Sequence, residues 1–416
     1  MRLSSVAVHT ATTFVGYAVR LALQLIGTAI LTRTLGPSDF GAFAAALAAA
    51  SILGSLTEAG GFSLVIRDTA RGIGPRQAIG NALLRVALLL PATLPALFLF
   101  KLLALPYVPW GLTLSLAISH LVFGRVLAIV QGMFVAKQQF WRNAVLETTA
   151  GALFLLLAAV LNLADGDVMM WGLLVIVQFA LVSLLGFIWL VRQYGWPSTS
   201  LHVALADLRE GLYFASSTVM QLASADFDKV LLARLSSLEA TGVYSAAARI
   251  VQLAYLPLNA FLAAVNSRFF QAGAQGSEHA MRFALRILPY TAAYGLIASV
   301  ALYAIAPLLP VIFGTGFSSS TTAIRWLALI PLLQGLYFPF ADALAGSNSI
   351  RLRTSAQAGA LAVGVILGFT LIPPLGWLGA AIAVLSGQFS LLVSLVVMAV
   401  GRRRGERDRS QRQGNG

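Results

Sequence analysis

The chain has 416 residues, 58% of them hydrophobic and only 10% charged, with a formal net charge of +13 and no cysteine. Soluble domains carry about 25% charged residues, so a water-soluble globular fold is excluded and lipid must be the main solvent. The missing cysteine excludes disulfides, thiolate metal sites and cysteine catalysis. Metal ions and cofactors are not expected either, because His9, His120, His202 and His279 are scattered without i, i+4 pairing.

Runs of about 20 apolar residues are the length of a membrane-crossing helix. Twelve are predicted, starting near Thr10, Phe40, Ile79, Trp110, Ala144, Val168, Glu210, Val243, Arg282, Thr322, Ser355 and Gly376. The first follows Arg2 and is interrupted by Arg20 with no small-residue cleavage site after it, so it is read as a retained helix. One of its faces is polar from end to end: Thr13, Tyr17, Arg20, Gln24 and Thr28 follow one another at helical steps of three and four. The turn that follows, Leu31 to Ala46, returns 201 positions later at Leu232 to Ala247, with Arg33 on Arg234, Gly41 on Gly242 and Phe43 on Tyr244. A helix pair has been used twice.

The second span carries Ser51, Ser55 and Glu58. Further on, Arg85, Lys101 and Arg325 lie near span ends and are expected to reach the interface by snorkelling. Arg125 lies well inside its span. The connection from Arg192 to Glu210 contains YGWPSTS and an amphipathic LHVALADL, which predicts a linker with an interfacial helix. Beyond it, the seventh span presents Ser217, Gln221, Ser224 and Asp228 on one face with Asp226 and Lys229 beside them, and the eighth carries Arg249, Gln252, Asn259 and Asn266. Asp342 falls in the tenth span. The tail, GRRRGERDRSQRQGNG, has no apolar periodicity and is predicted to be disordered.

Charge orders these spans across the membrane. Nineteen of the 28 cations fall in alternate connections and the tail, whereas only Arg33 and Arg234 are clearly in loops of the other side. By the positive-inside rule both termini are cytoplasmic. The expected fold is all-α, with about twelve transmembrane helices in two six-helix lobes, residues 1–192 and 209–400, related by a pseudo-twofold axis along the membrane normal. A cytoplasmic linker, 193–208, and the basic tail, 401–416, complete the chain. The basic residues are spread along a membrane face with no folded domain to display them, so lipid is the expected contact and nucleic acid is not.

Polar stripes on the first two helices of both halves predict a hydrated cavity lined by cations and amides. A charge at a helix centre costs roughly 2.5 to 3.5 kcal/mol in lipid, so Arg20, Arg125, Lys229 and Arg249 are expected to face protein or water. With Gln24, Gln221, Gln252 and Asn259 they are the candidate substrate-binding residues. Arginine suits planar bidentate contacts with phosphate, so a diphosphate is the matching guest. Glu58, Asp226, Asp228 and Asp342 are candidate ion carriers; the alternative is that they neutralise nearby cations, as Asp226 would for Lys229 at i, i+3. Interhelical glue is likewise the alternative for the stripes.

The run from Arg20 to Gly72, with Arg33, Leu35, Gly36, Asp39, Phe40 and Gly41 and then Glu58 and Gly60, resembles the opening helices of polysaccharide-unit flippases. These are the polysaccharide biosynthesis family of the multidrug, oligosaccharidyl-lipid and polysaccharide exporter superfamily. Pro373 to Gln388, PPLGWLGAAIAVLSGQ, is similar to that family's last helix corner. The resemblance implies alternating access that carries an undecaprenyl-diphosphate-linked oligosaccharide from the cytoplasmic to the periplasmic leaflet of the inner membrane, with polymerase or synthase proteins as possible partners. An ion-coupled drug or cation exporter of the same superfamily is the nearest alternative. A membrane polymerase or ligase is a more distant one, because the outer connections are short and their one carboxylate pair, Asp165 and Asp167, reads as a turn. No enzymatic activity is expected, and with no Gly-Lys pair there is no P-loop.

Overall fold

The computed structural model describes the backbone of residues 3–347 and 349–414; of these, the side chains of 3–18, 20, 217, 263, 264, 267, 350, 400 and 402–414 lie outside the described set. Among the described residues there is helix and connection, and no strand. The chain is an all-α polytopic membrane protein. Its helices are α1 (Leu3–Glu58), α2 (Gly61–Ala70), α3 (Pro75–Ala104), α4 (Trp110–Ala117), α5 (Gly124–Ala136), α6 (Phe140–Leu163), α7 (Val168–Tyr194), α8 (Leu201–Ala206) and α9 (Leu208–Leu235). They continue as α10 (Leu238–Ala274), α11 (Ser277–Ile305), α12 (Leu309–Phe313), α13 (Ser320–Leu327), α14 (Ile330–Gly346), α15 (Ile350–Leu375) and α16 (Trp377–Gly414).

Nine stretches among the described residues are long and apolar enough to cross a membrane. The first, Leu21–Ala70, contains two spans, because Gly36 (φ 71°, ψ 176°) leaves the helical region and Pro37 starts the next helix. Only glycine adopts that backbone readily, and proline is at ease at a first helical position. Two more helices, α9 with 28 residues and α10 with 37, also have the length to cross. All twelve predicted segments are therefore helical, each starting within a turn or two of its expected position.

Residues 1–242 form one compact unit and 243–416 another. In the first, α6 lies along α1, and Trp171 of α7 is fully buried with its ring edge-on to Phe43 and Phe154, 5.9 and 5.3 Å between centroids. A second core joins Val65, Ile79, Ile129, Met133, Phe134 and Leu190 from α2, α3, α5 and α7. Between α4 and α5 the helix widens into a π-turn, Ile118–Phe123, a form that recurs at functional sites.

The repeat-related corners meet inside this first unit. A Cβ on Gly41 would stand 1.8 Å from the Leu238 carbonyl oxygen, and one on Gly242 would stand 1.9 Å from that of Pro37. Pro37 and Leu238 are themselves 201 positions apart, so the two contacts are copies of one another. The two backbones touch because neither helix has a side chain there.

The second unit is organised by α11, α14, α15 and α16. Thr291 Oγ1 donates to the Gly335 carbonyl at 2.6 Å, fixing α11 on α14, and Met281, Phe340, Leu344, Leu391 and Leu395 fill the core. The last helix is continuous to Gly414, while the side chains of the arginine-rich tail lie outside the described residues.

Candidate functional site

The polar groups of the first unit gather where α1 ends. Ala59 (φ 47°) and Gly60 (φ 64°) turn the chain left-handed between α1 and α2. Glu58, the last residue of α1, uses Oε1 to accept from the Phe62 backbone N–H at 2.8 Å, so it caps α2. Its other oxygen accepts from Arg125 Nη1 at 2.8 Å, and Arg125 Nε donates to the His120 carbonyl at 2.8 Å. That carbonyl belongs to the π-turn. His120 is buried, its Nδ1 3.1 Å from the Leu116 carbonyl and its ring 4.5 Å from that of Phe179. The pair is largely withdrawn from solvent, with side-chain exposures of 14% for Arg125 and 11% for Glu58.

On α9, Lys229 is buried and donates to Asp226 at 2.7 Å, to Asp228 at 3.4 Å and to the Ala225 carbonyl at 3.0 Å. The i, i+3 pairing that the sequence offers between Asp226 and Lys229 is formed. Gln24 is half-buried on α1, while Gln221 is exposed on α9. The side chain of Arg20 lies outside the described residues.

In the second unit, Gln252 and Asn259 are exposed on α10 and Arg249 is half-buried there. Asp342 of α14 pairs with Arg353 of α15 at 3.3 Å. Nearby, the Tyr255 and Phe338 rings stack at 5.4 Å with 21° between their planes. Each candidate ion carrier therefore has a cation beside it: Glu58 has Arg125, Asp226 and Asp228 have Lys229, and Asp342 has Arg353.

Two expectations about the span-end cations need correcting. Arg85 and Lys101 do not snorkel: they are 0% and 2% exposed. Lys101 Nζ turns back to the carbonyls of Leu105 and Pro106 at 2.7 and 3.3 Å, satisfying the C-terminal end of α3 beneath the Trp110 ring. Arg85 points into protein beside Asp207, and the signal for it was present in sequence. Ala78, Asn81, Ala82 and Arg85 share the helical spacing of the α3 face that is buried. Only Arg325 of the three is exposed, lying over the Tyr303 ring at 5.1 Å.

A family model described as "Polysaccharide biosynthesis protein" matches residues 6–267. The chain belongs to that family. No curated protein sequence matches it. Among solved structures, the fold is similar to the lipid II flippase MurJ in an inward closed conformation, with a TM-score of 0.74 at 12% identity over 94% of this chain and 87% of the other. It is also similar to an inward-facing multidrug resistance MATE family transporter of the MOP superfamily, with a TM-score of 0.70 at 16% identity over 94% and 97% of the two chains. A MOP superfamily transporter from Pyrococcus furiosus, described by the reversed polarity of its binding pocket, gives 0.60 at 17% over 95% and 94%. At these identities the likeness establishes the fold, which is that of MOP superfamily transporters.

Proposed function

We propose that this chain is a flippase of polysaccharide biosynthesis, moving a polyprenyl-diphosphate-linked oligosaccharide from the cytoplasmic to the outer leaflet of the inner membrane by alternating access. The observation that carries the reading is the character of α9 and α10. Both are long enough to cross a membrane, yet they expose Gln221, Gln252 and Asn259 along their length. An exposed amide facing lipid is costly, so those faces meet water and a polar substrate. Arg249 and Arg20 supply cations for the diphosphate, and the amides accept and donate to sugar hydroxyls. Family membership supports a role in polysaccharide assembly, and the resemblance to MurJ, a lipid II flippase, supports a lipid-linked cargo.

Both termini are placed in the cytoplasm on the charge of the connections, with the two lobes built from the repeated helix pair. Ion coupling through Glu58, Asp226, Asp228 or Asp342 fits their pairing with cations. Polymerase or synthase proteins are the partners that such a cargo calls for.

The test is the leaflet location of radiolabelled lipid-linked glycan in cells lacking the protein. Repeat units should accumulate on the cytoplasmic side and be cleared by the wild type. Gln252→Leu with Asn259→Leu should still insert, since both changes favour lipid, and should cut clearance at least about tenfold, the cost of one or two lost hydrogen bonds to substrate. Normal translocation in the deletion, with altered tolerance to cationic drugs, would replace the flippase reading by the exporter. Normal translocation with short or unligated chains outside would point to an enzyme.

A further inference from the structure

Arg85 is fully buried, yet none of its three guanidinium nitrogens has a hydrogen-bond partner among the described residues. Its nearest carboxylate oxygen, Asp207 Oδ2, is 3.7 Å away, beyond hydrogen-bond reach. Arg67, by contrast, is oversupplied. It donates to Asp68 Oδ1 from Nε at 2.9 Å and from Nη2 at 2.6 Å, meets Asp207 Oδ2 at 2.9 Å and pairs with Glu210 through Nη1. Meanwhile the second oxygen of Asp68 is buried and without a partner. Asp207 and Glu210 both belong to the start of α9, with Asp207 the single residue between α8 and α9.

We propose that the start of α9 is a releasable latch on α2 and α3, with Asp207 and Glu210 as its moving half and Arg67, Asp68 and Arg85 as its fixed half. The distribution of burial carries the inference. The side chains of the moving half are 20% and 44% exposed and can take up water when they leave, whereas Asp68 at 1% and Arg85 at 0% cannot. What stays behind is two guanidinium groups and one carboxylate with two oxygens. Asp68 keeps Arg67 on Oδ1 and its idle Oδ2 is available to the idle Arg85. Departure of the latch thus leaves one net positive charge, which falls to Arg67, 13% exposed and able to reach water, while the idle Asp68 oxygen is left for Arg85. Contact of the two backbones defines the seated position: a Cβ on Gly211 would stand 2.2 Å from the Ala59 carbonyl oxygen.

The latch rests on reading the chain as a transporter that changes conformation. It is tested by labelling, which reports motion whatever the cargo, so a failed glycan assay with an intact labelling response would remove the cargo and leave the latch. The chain has no cysteine, and Ala215, one turn beyond Gly211, is buried. Ala215→Cys in native membranes, both inverted and right-side-out, is treated with a membrane-impermeant maleimide. Adding Asp207→Asn with Glu210→Gln should raise the labelling rate about fivefold or more, the weight of one lost charge pair. Asp68→Asn should lower it, because the released state loses its pair. If Asp68→Asn fails to accumulate, Arg85→Met gives the same reading and should also lower the rate. A purely structural cluster behaves oppositely, loosening whichever member is removed. No change with the Asp207 and Glu210 substitutions, or faster labelling with Asp68→Asn or Arg85→Met, overturns the latch.

Discussion

Gly41→Val lowers the stability of the purified protein by about 3 kcal/mol or more. A side chain at this position meets backbone, not another side chain: the Leu238 carbonyl oxygen would lie 1.8 Å and the Gly242 nitrogen 2.7 Å from the new Cβ. No rotamer can swing aside, so the second segment of α1 and the start of α10 must part. Gly242→Val should cost a similar amount, since its Cβ would meet the Pro37 carbonyl oxygen at 1.9 Å. The double variant should cost less than the sum, because a seam forced open by one substitution has room for the other. Gly359→Ala on α15 is the control, with nothing within 4 Å of its Cβ. It should be neutral or gain up to about 1 kcal/mol, the ordinary helix preference for alanine. Thermal unfolding in detergent reads all four. Seam variants that melt with the control would mean that the two corners are not pressed together.

Breaking the Glu58–Arg125 pair from one side should be as severe. Glu58→Leu leaves a guanidinium in the protein interior with only the His120 carbonyl, and loss of one partner of a buried pair costs about 3–5 kcal/mol. Arg125→Met strands the carboxylate instead. The double variant Glu58→Leu with Arg125→Met removes both charges, and most of the folded yield should return, with a coupling energy of at least about 1.5 kcal/mol. Glu58→Gln should be the mildest single change, because an amide oxygen still accepts from the Phe62 N–H. Folded yield and glycan clearance together separate two roles. If the pair takes part in transport, the double variant accumulates and stays inactive; if clearance recovers along with yield, the pair only holds α5 against α1.

The helices themselves were legible because the lipid core sets a length. Any run of about 20 apolar residues is long enough, and each turn announces itself by glycine, proline or charge. Local pairs were legible for the same geometric reason: Asp226 and Lys229 are three apart on one helix, so helical spacing alone brings them together. Arg85 and Lys101 were misread because distance from a span end does not say which way a side chain points. Snorkelling requires an open path along the helix, and α3 turns that face into the protein.

Composition and periodicity thus determined an all-α membrane protein, its twelve helical segments, the repeated corner and the polar character of α1, α9 and α10. Those features depend on transfer into lipid and on spacing within single helices, both of which are local. The tertiary structure alone decided that Glu58 holds Arg125, 67 positions away, across a π-turn, and that Asp207 stands between Arg67 and Arg85. It likewise decided that Gly41 and Gly242, equivalent in sequence, touch. Such contacts depend on which helix faces pack together. Packing joins residues far apart in the chain through shape and charge, and no period within one helix encodes it.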